Sequence, residues 1–199
     1  MPKLKRRRPI HTARLLADFL RSRPHRHRLP PGFAPRPGRA RPGDANADRR
    51  LRLILALDAA GDPADRRWCR LLLRLTLRSY ARGLCWDVRD PVALLVFALY
   101  RWLQPRDLGR LWAARQSGGS DSYASLDAEL TFGFSLADTL TRLQRRRPRR
   151  ALYRDFAADL QQRQHQPGAR YRSRADYLDY FARVRQPAHR ESLVEELEP

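Results

Sequence analysis

A run of ten residues without a polar face sets the strongest constraint on what this chain can fold into. Residues 91–100, PVALLVFALY, contain no charged side chain. A helix with this composition is apolar all round and has to be covered on every side, which places it at the centre of a helical bundle. The run is too short to span a bilayer, which takes about 20 apolar residues. We therefore expect a buried central helix over residues 91–103.

Helix-start and helix-stop residues recur on both sides of this run. Gly61 and Gly83 follow segments with apolar residues at helical spacing, as C-cap glycines do. The pairs Asp62-Pro63 and Asp90-Pro91 each place an acceptor at the N-cap and a proline at the first helical position. These patterns predict helices over residues 45–60, 62–82 and 91–103, and another that starts at Pro105.

The second half of the chain continues in the same way. The pattern predicts a long helix over 123–147 with a break near Gly133, then a helix over 149–164. Ser173 and Asp176 form a capping-box pattern before the next apolar segment. A short helix over 191–197 is expected at the end, and strand patterns are weak throughout. The predicted fold class is all-α, an irregular bundle of about seven to nine helices.

The N-terminal fifth of the chain has a different composition. Residues 23–43 contain six prolines and three glycines, and their basic residues repel one another. They predict a Pro/Arg-rich linker that is mobile in the free protein. A short amphipathic helix over 10–22 is expected before it. The predicted organisation is a basic N-terminal segment, 1–44, followed by a helical domain, 45–199.

The charge of the chain is strongly positive and comes almost entirely from arginine. The net charge is +20, and only Lys3 and Lys5 among the 41 basic residues are lysines. Residues 1–50 carry +12, residues 51–150 carry +8, and the remainder is neutral. Arginine binds phosphate and carboxylate in a two-pronged way that lysine does not reproduce. GC-rich coding also produces arginine excess, but the asymmetry favours a polyanionic partner.

One predicted helix carries a row of arginines that we call the arginine stripe. Its members recur every four residues with one addition, and they are Arg66, Arg67, Arg70, Arg74, Arg78 and Arg82. Successive members lie about 6 Å apart along a helix, a spacing that suits phosphates of a nucleic-acid backbone. Two other interpretations remain open: a solvated helix face, or internal pairing with acids on neighbouring helices. If the stripe binds phosphate, changing Arg70, Arg74 and Arg78 to glutamate should abolish binding without loss of the fold.

Two further clusters add candidate nucleic-acid-binding residues. Around Pro148 lie five arginines that we call the arginine corner: Arg145, Arg146, Arg147, Arg149 and Arg150. The last two start a predicted helix, where cations are disfavoured unless an anion is bound. The N-terminal run PKLKRRRP contributes Arg6, Arg7 and Arg8. Two cysteines without a disulfide framework suit a reducing compartment, so we expect a cytoplasmic protein. Because the run is also similar to a nuclear localisation signal, a nuclear protein is the alternative if the source is eukaryotic or viral.

No sequence pattern points to catalysis, a metal or a cofactor. Cys69 and Cys85 lack the spacing of a zinc site and do not form a disulfide framework. His25 and His27 are flanked by arginines that repel a cation. We therefore predict a protein with no catalytic site, metal or cofactor. The clustered aromatic residues are interpreted as core rather than as base-stacking groups, and they are Trp86, Trp102, Trp112, Tyr177, Tyr180 and Phe181.

Two functional hypotheses account for these features. In the first, a non-enzymatic helical protein binds nucleic acid or another polyanion through its arginine-rich faces. In the alternative, the chain is a helical protein-interaction module, such as an adaptor, a secretion-linked factor or an immunity-type protein, and its basic face meets an acidic protein partner. An enzyme whose site is assembled from distant residues is the third and least favoured hypothesis. The sequence does not predict an oligomeric state.

Overall fold

The computed structural model describes residues 9–38, 43–85, 88–117, 126–145, 151–168 and 170–197, and every regular element in these ranges is helical. The all-α prediction is therefore confirmed. The helices are α1 (Pro9–Ser22), α2 (Ala47–Ala60), α3 (Arg66–Ala81), α4 (Arg89–Arg101), α5 (Leu108–Gln116), α6 (Glu129–Phe132), α7 (Leu136–Arg145), α8 (Ala151–Gln164), α9 (Arg174–Tyr180) and α10 (Gln186–Leu197). Short 3₁₀ turns precede α3 and α5, at Pro63–Asp65 and Pro105–Asp107.

Helix α4 lies at the centre of the fold, as its composition predicts. Every residue from Pro91 to Tyr100 is buried. Helices α2, α3, α5 and α10 surround it. Phe97 has no exposed surface, and its ring stacks on that of Phe181 with centroids 4.0 Å apart. A helix without a polar face is thus covered on all sides by other helices of the same chain.

A second, smaller core joins the later helices to this centre. Trp112 of α5 stacks on Phe156 of α8 with ring centroids 4.9 Å apart. Leu140 and Leu143 of α7 pack into the same cluster. Helix α5 faces both cores, because its Leu111 belongs to the central cluster while Trp112 belongs to the second. It therefore positions α7 and α8 against the central bundle.

Some helix ends have the predicted capping residues, but Asp90 does not act as the predicted N-cap. Asp62 caps the turn before α3 by accepting from the Ala64 amide at 2.8 Å. Asp90 instead lies inside the first turn of α4, where Val88 is the N-cap residue. Its carboxylate bonds Nδ1 of His189 at 2.7 Å and accepts from the Ser192 hydroxyl at 2.7 Å. The Asp90 carboxylate, which the sequence predicts as an N-cap acceptor, is thus bonded to side chains of α10 instead.

Two predicted helices have different bounds in the structure. The break that the sequence predicts near Gly133 is present, because Gly133 at φ 67° separates α6 from α7 and the described residues of 126–145 form two helices. The final helix starts well before residue 191, since α9, a π-helical turn (Phe181–Arg185) and α10 follow one another without a gap. Pro187 has no amide hydrogen to donate to the carbonyl one turn earlier. The π-helical turn, which is wider than an α-helical turn, lies just before this proline.

The predicted linker is confirmed as a connection without a long helix, but its described part is anchored. Phe33, in a single 3₁₀ turn, is buried and packs against Phe19 of α1 with ring centroids 5.8 Å apart. Asn46 donates from its side-chain amide to the Ala34 carbonyl at 2.7 Å. An aromatic residue in a proline-rich segment therefore fastens it to the body. This limits the mobility that the composition predicts for all of residues 23–43.

The turn at Gly133 leads to a testable prediction about packing. A Cβ at this position would lie 2.5 Å from Leu108 Cδ2 and 2.7 Å from Thr139 Oγ1. We expect Gly133→Ala to lower the free energy of unfolding by about 2–4 kcal/mol, because a positive φ of 67° and an overpacked contact both disfavour the methyl group. Urea denaturation measures this loss.

Gly83 offers a matched control for that substitution. It has a similar φ of 66°, but a Cβ there meets nothing within 4 Å. Gly83→Ala should therefore lower the free energy of unfolding by about 1–2 kcal/mol, the cost of a positive φ for a residue with a side chain. Equal losses for the two variants would show that close packing around Gly133 is not significant.

Asp44 ties the end of the linker to two helices. Its buried carboxylate accepts hydrogen bonds from the Arg50 guanidinium, from the Ser79 hydroxyl at 2.6 Å, and from the Arg36 and Asn46 amides at 3.0 Å each. Burial by itself raises the pKa of Asp44, but these hydrogen bonds together outweigh it and lower the pKa below its ordinary value of 3.8. The ionised form is therefore the one that the fold favours.

This carboxylate predicts a loss of stability in acid. Since the pKa of Asp44 is lower in the folded chain, its contribution is fully present above pH 3.8 and is lost as the pH falls through the folded-state pKa. We expect Asp44→Asn to be less stable than the parent at pH 7 and to lose less stability between pH 7 and strong acid. Chemical denaturation across pH measures both, with Asp48→Asn on the exposed start of α2 as the control. An unchanged pH dependence in Asp44→Asn would contradict the assignment.

Candidate nucleic-acid interface

The structure divides the arginine stripe of α3 into two halves. The three N-terminal members are engaged within the protein. Arg66 donates to the Trp102 carbonyl at 3.1 Å. Arg67 lies over the Trp68 ring, 4.7 Å from its centroid, and donates to backbone carbonyls of the linker. Arg66 and Arg67 are thus engaged with backbone carbonyls and a Trp ring rather than with the acids that the sequence left open as an alternative.

Arg70 makes the strongest of these internal contacts. Its guanidinium bonds both carboxylate oxygens of Asp107, Nε to Oδ1 at 2.6 Å and Nη2 to Oδ2 at 2.7 Å, and also reaches Gln104 Oε1 at 2.6 Å. The Asp107 side chain is completely buried and that of Arg70 is 13% exposed. This two-pronged pair joins α3 to the turn before α5. Changing Arg70 to glutamate would place two carboxylates face to face, so we expect that change to destabilise the fold rather than leave it intact.

The C-terminal half of the stripe points to solvent. We call Arg74, Arg78 and Arg82 the exposed row. All three side chains are exposed, and none makes a hydrogen bond or an ion pair with a described residue. They follow one another at intervals of one helical turn, about 6 Å along the axis. No acidic residue occurs in α3 itself, so among the described residues the row is a line of unpaired positive charge.

A groove between α3 and α5 runs beside this row. It encloses about 490 Å³, and we call it the α3–α5 groove. Four arginines and four small or aliphatic side chains line it: Arg67, Arg70, Arg74, Arg110, Leu71, Leu73, Leu77 and Ala113. The Arg110 side chain is 47% exposed and lies 3.4 Å from Asp107. The groove therefore combines cationic walls with an apolar floor.

The arginine corner is described only in part. Arg145, at the end of α7, is exposed and lines a small pocket of about 180 Å³. Arg142 lines the same pocket and lies over the Phe134 ring, 4.5 Å from its centroid. The remaining candidates, Arg146, Arg147, Arg149, Arg150, Arg6, Arg7 and Arg8, lie outside the described residues. The structure thus places one corner residue beside an arginine that the sequence analysis did not select.

A second cleft was missed by the sequence analysis. We call it the aromatic cleft; it encloses about 500 Å³, and the turn after α6 and the segment before α9 contribute most of its lining. Its lining residues are Tyr100, Phe132, Gly133, Phe134, Ser135, Leu136, Tyr171, Arg172, Ser173 and Arg174. The aromatic residues interpreted as core from the sequence do not include Phe134 and Tyr171 of this cleft. The alternating arginines around Tyr171, in the sequence RYRSR, are the pattern that could have indicated this cleft. The FGF turn that lies opposite this segment is 37 or more residues earlier in the sequence, so the pattern alone does not bring the two together.

The described polar clusters do not have the geometry of a nucleophilic site. Ser192 donates to Asp90 rather than to His189, so its hydroxyl has no imidazole base. Burial raises the pKa of the Cys69 thiol to about 12, which keeps the thiol protonated at neutral pH. Within the described ranges, no group of three or more His, Cys, Asp and Glu side chains is arranged to hold a metal ion.

Comparison with known proteins completes the description of these sites. A scan against protein-family models and searches of curated proteins and of solved structures find no match to this chain. Among the helices that the structure describes, none has both the length and the apolarity needed to cross a membrane. The exposed row, the α3–α5 groove and the aromatic cleft are the surfaces from which a function can be argued.

Proposed function

We propose that this protein is a non-enzymatic helical module that binds the phosphate backbone of nucleic acid. The exposed row supplies the main contact. The observation that carries the proposal is the sequence of three solvent-facing guanidinium groups at one-turn intervals, Arg74, Arg78 and Arg82, without a carboxylate partner among the described residues. Backbone binding depends on such groups, since each phosphate neutralised by arginine releases a counterion.

Arginines on α5 extend the proposed contact beyond α3. Arg110 faces the α3–α5 groove from the wall opposite Arg74, and it donates to the Arg106 carbonyl one turn earlier. Arg106 is itself exposed. A nucleic-acid strand that runs along the exposed row would therefore contact cations from two helices. Contacts of this kind fix the position of a nucleic acid without reading its bases, so we expect binding that does not depend on sequence.

The apolar floor of the groove favours a second candidate function. Leu71 and Leu77 are only partly buried, and they lie between the arginines of the groove walls. Phosphate groups gain nothing from such side chains. An amphipathic helix with acidic flanks would bury the leucines and pair with the arginines. An acidic protein partner at this groove is therefore the alternative to nucleic acid.

Salt-dependent binding tests the proposal directly. We expect the triple variant Arg74→Ala, Arg78→Ala, Arg82→Ala to bind duplex DNA, single strands and RNA more weakly than the parent. Its plot of log affinity against log salt should be flatter by about 0.7–0.9 for each lost phosphate contact. Fluorescence anisotropy in a salt titration measures both quantities.

A second triple variant provides a control of equal charge. Arg21, Arg154 and Arg183 are exposed residues of α1, α8 and the π-helical turn, and changing them to alanine removes the same three charges elsewhere. This control should keep most of the affinity and the slope. An unchanged slope in the Arg74, Arg78, Arg82 variant would remove the row from the interface. Absence of any nucleic-acid binding at low salt would reject the proposal. The alternative would be supported if the protein binds an acidic amphipathic peptide and Leu77→Gln weakens that binding.

A further inference from the structure

The aromatic cleft presents flat ring surfaces to solvent. Tyr100 and Phe132 are buried, but Phe134 and Tyr171 are only partly buried. Tyr171 packs edge-to-face on Phe132 with centroids 4.7 Å apart, and its hydroxyl bonds Gln166 Oε1 at 3.3 Å. These contacts hold the Tyr171 ring in place without covering it. The cleft therefore has a preformed aromatic wall, and its volume of about 500 Å³ is in the range of small-ligand sites.

The same cleft carries positive charge. Arg172 lies over the Tyr180 ring, 3.9 Å from its centroid, and pairs with Glu129 at 3.3 Å. Arg174 donates to the backbone carbonyls of Tyr100 at 2.9 Å and Arg101 at 3.1 Å, and it forms no ion pair with a described residue. Its Nε is buried without a hydrogen-bond partner. Among the described residues that line the cleft none is acidic, so Arg174 adds positive charge to its aromatic surface.

The cleft is also continuous with the basic surface described above. Phe134 on its rim lies under the Arg142 guanidinium, and Arg142 lines the small pocket together with Arg145 and Pro105. Pro105 adjoins Arg106, one turn before Arg110 on the wall of the α3–α5 groove. Arginines thus lie at the α3–α5 groove, at the small pocket and beside the aromatic cleft. A ligand that carries both repeated phosphates and aromatic rings fits this arrangement.

We propose that the aromatic cleft binds an unstacked nucleobase with its phosphate, presented by a single-stranded nucleic acid. The base packs against Phe134 and Tyr171, and the arginines of the cleft attract the phosphate. This inference rests on the proposed function, because the exposed row holds the rest of the strand. A duplex keeps its bases stacked and paired, so the cleft gives the protein a preference for single strands.

The test compares strands with and without bases. We expect a short oligodeoxyadenylate to bind about tenfold to a hundredfold more tightly than the same sugar-phosphate strand without bases, which is the range for one stacked base. Tyr171→Ala should remove this preference and leave the affinity for the abasic strand unchanged. Tyr171→Phe keeps the ring and should retain the preference. The triple variant of the exposed row should weaken binding of both strands while their ratio stays the same.

The outcomes separate this inference from the proposed function. Equal affinity of the parent for the two strands would overturn the cleft assignment and leave the row as the binding site. Binding of neither strand would reject the single strand as the ligand. In that case, adenosine monophosphate bound more tightly than ribose 5-phosphate, with dependence on Tyr171, would assign the cleft to a free nucleotide. If Tyr171→Ala does not fold by circular dichroism, Phe134→Leu replaces it, and a retained base preference in that variant counts against the proposal.

Discussion

Replacing Arg70 by alanine is expected to lower the free energy of unfolding by about 3–5 kcal/mol, one of the largest effects of any single substitution in this protein. The Asp107 carboxylate is completely buried, and Arg70 supplies both of its close hydrogen bonds. Removal of the guanidinium leaves a buried charge whose remaining ion-pair partner among the described residues is Arg110, at 3.4 Å. Urea denaturation followed by circular dichroism measures the loss.

Two other variants establish that the charge pair causes this effect. Arg74→Ala, one turn further along α3 on an exposed side chain, should change the free energy of unfolding by no more than about 0.5 kcal/mol. Arg70→Met combined with Asp107→Leu removes both charges, and we expect it to recover much of the lost stability. A cost below about 1 kcal/mol for Arg70→Ala would contradict the structural role of the pair.

A similar loss, about 3–5 kcal/mol, is expected for Phe97→Ala. Phe97 is fully buried in α4, stacks on Phe181, and has the Arg101 guanidinium over its ring at 4.7 Å. Truncation therefore leaves a cavity between the central helix and the π-helical turn, and it exposes no compensating polar group. Thermal and urea denaturation measure the effect.

The partly exposed Val194 of α10 serves as the control for that substitution. Its side chain is 45% exposed, so Val194→Ala should change the free energy of unfolding by no more than about 0.5 kcal/mol. A loss below about 1 kcal/mol for Phe97→Ala would place α4 at a surface rather than at the centre of the fold. It would also favour the acidic-protein alternative, because an apolar helix at a surface requires a partner.

The sequence predicted those features that depend on local chemistry. The apolar run of α4 determined its burial, and Gly61 and Gly83 determined where α2 and α3 end, at positive φ of 60° and 66°. Such features depend on backbone conformation or on the composition of one helix. The break at Gly133 was also predicted, although the bounds of the helices around it were not.

The division of the arginine stripe was beyond sequence analysis for a physical reason. Helical periodicity shows which side chains share a face, but it does not show what packs against each end of that face. Asp107, the partner of Arg70, lies 37 residues further along the chain. Asp90 illustrates the same limit, since its partners His189 and Ser192 belong to the last helix. The aromatic cleft likewise joins two segments that are distant in sequence.

The buried pair between Arg70 and Asp107 has a consequence for the anion binding that we propose at the α3–α5 groove. It connects the two elements that carry the groove walls, so the separation of those walls is already determined in the free protein. A ligand does not have to bring the helices together, and little backbone entropy is lost when it binds. Selectivity among anions then depends on how well their charge spacing matches a rigid template, and a variant that loosens the pair should bind a broader range of anions, each more weakly.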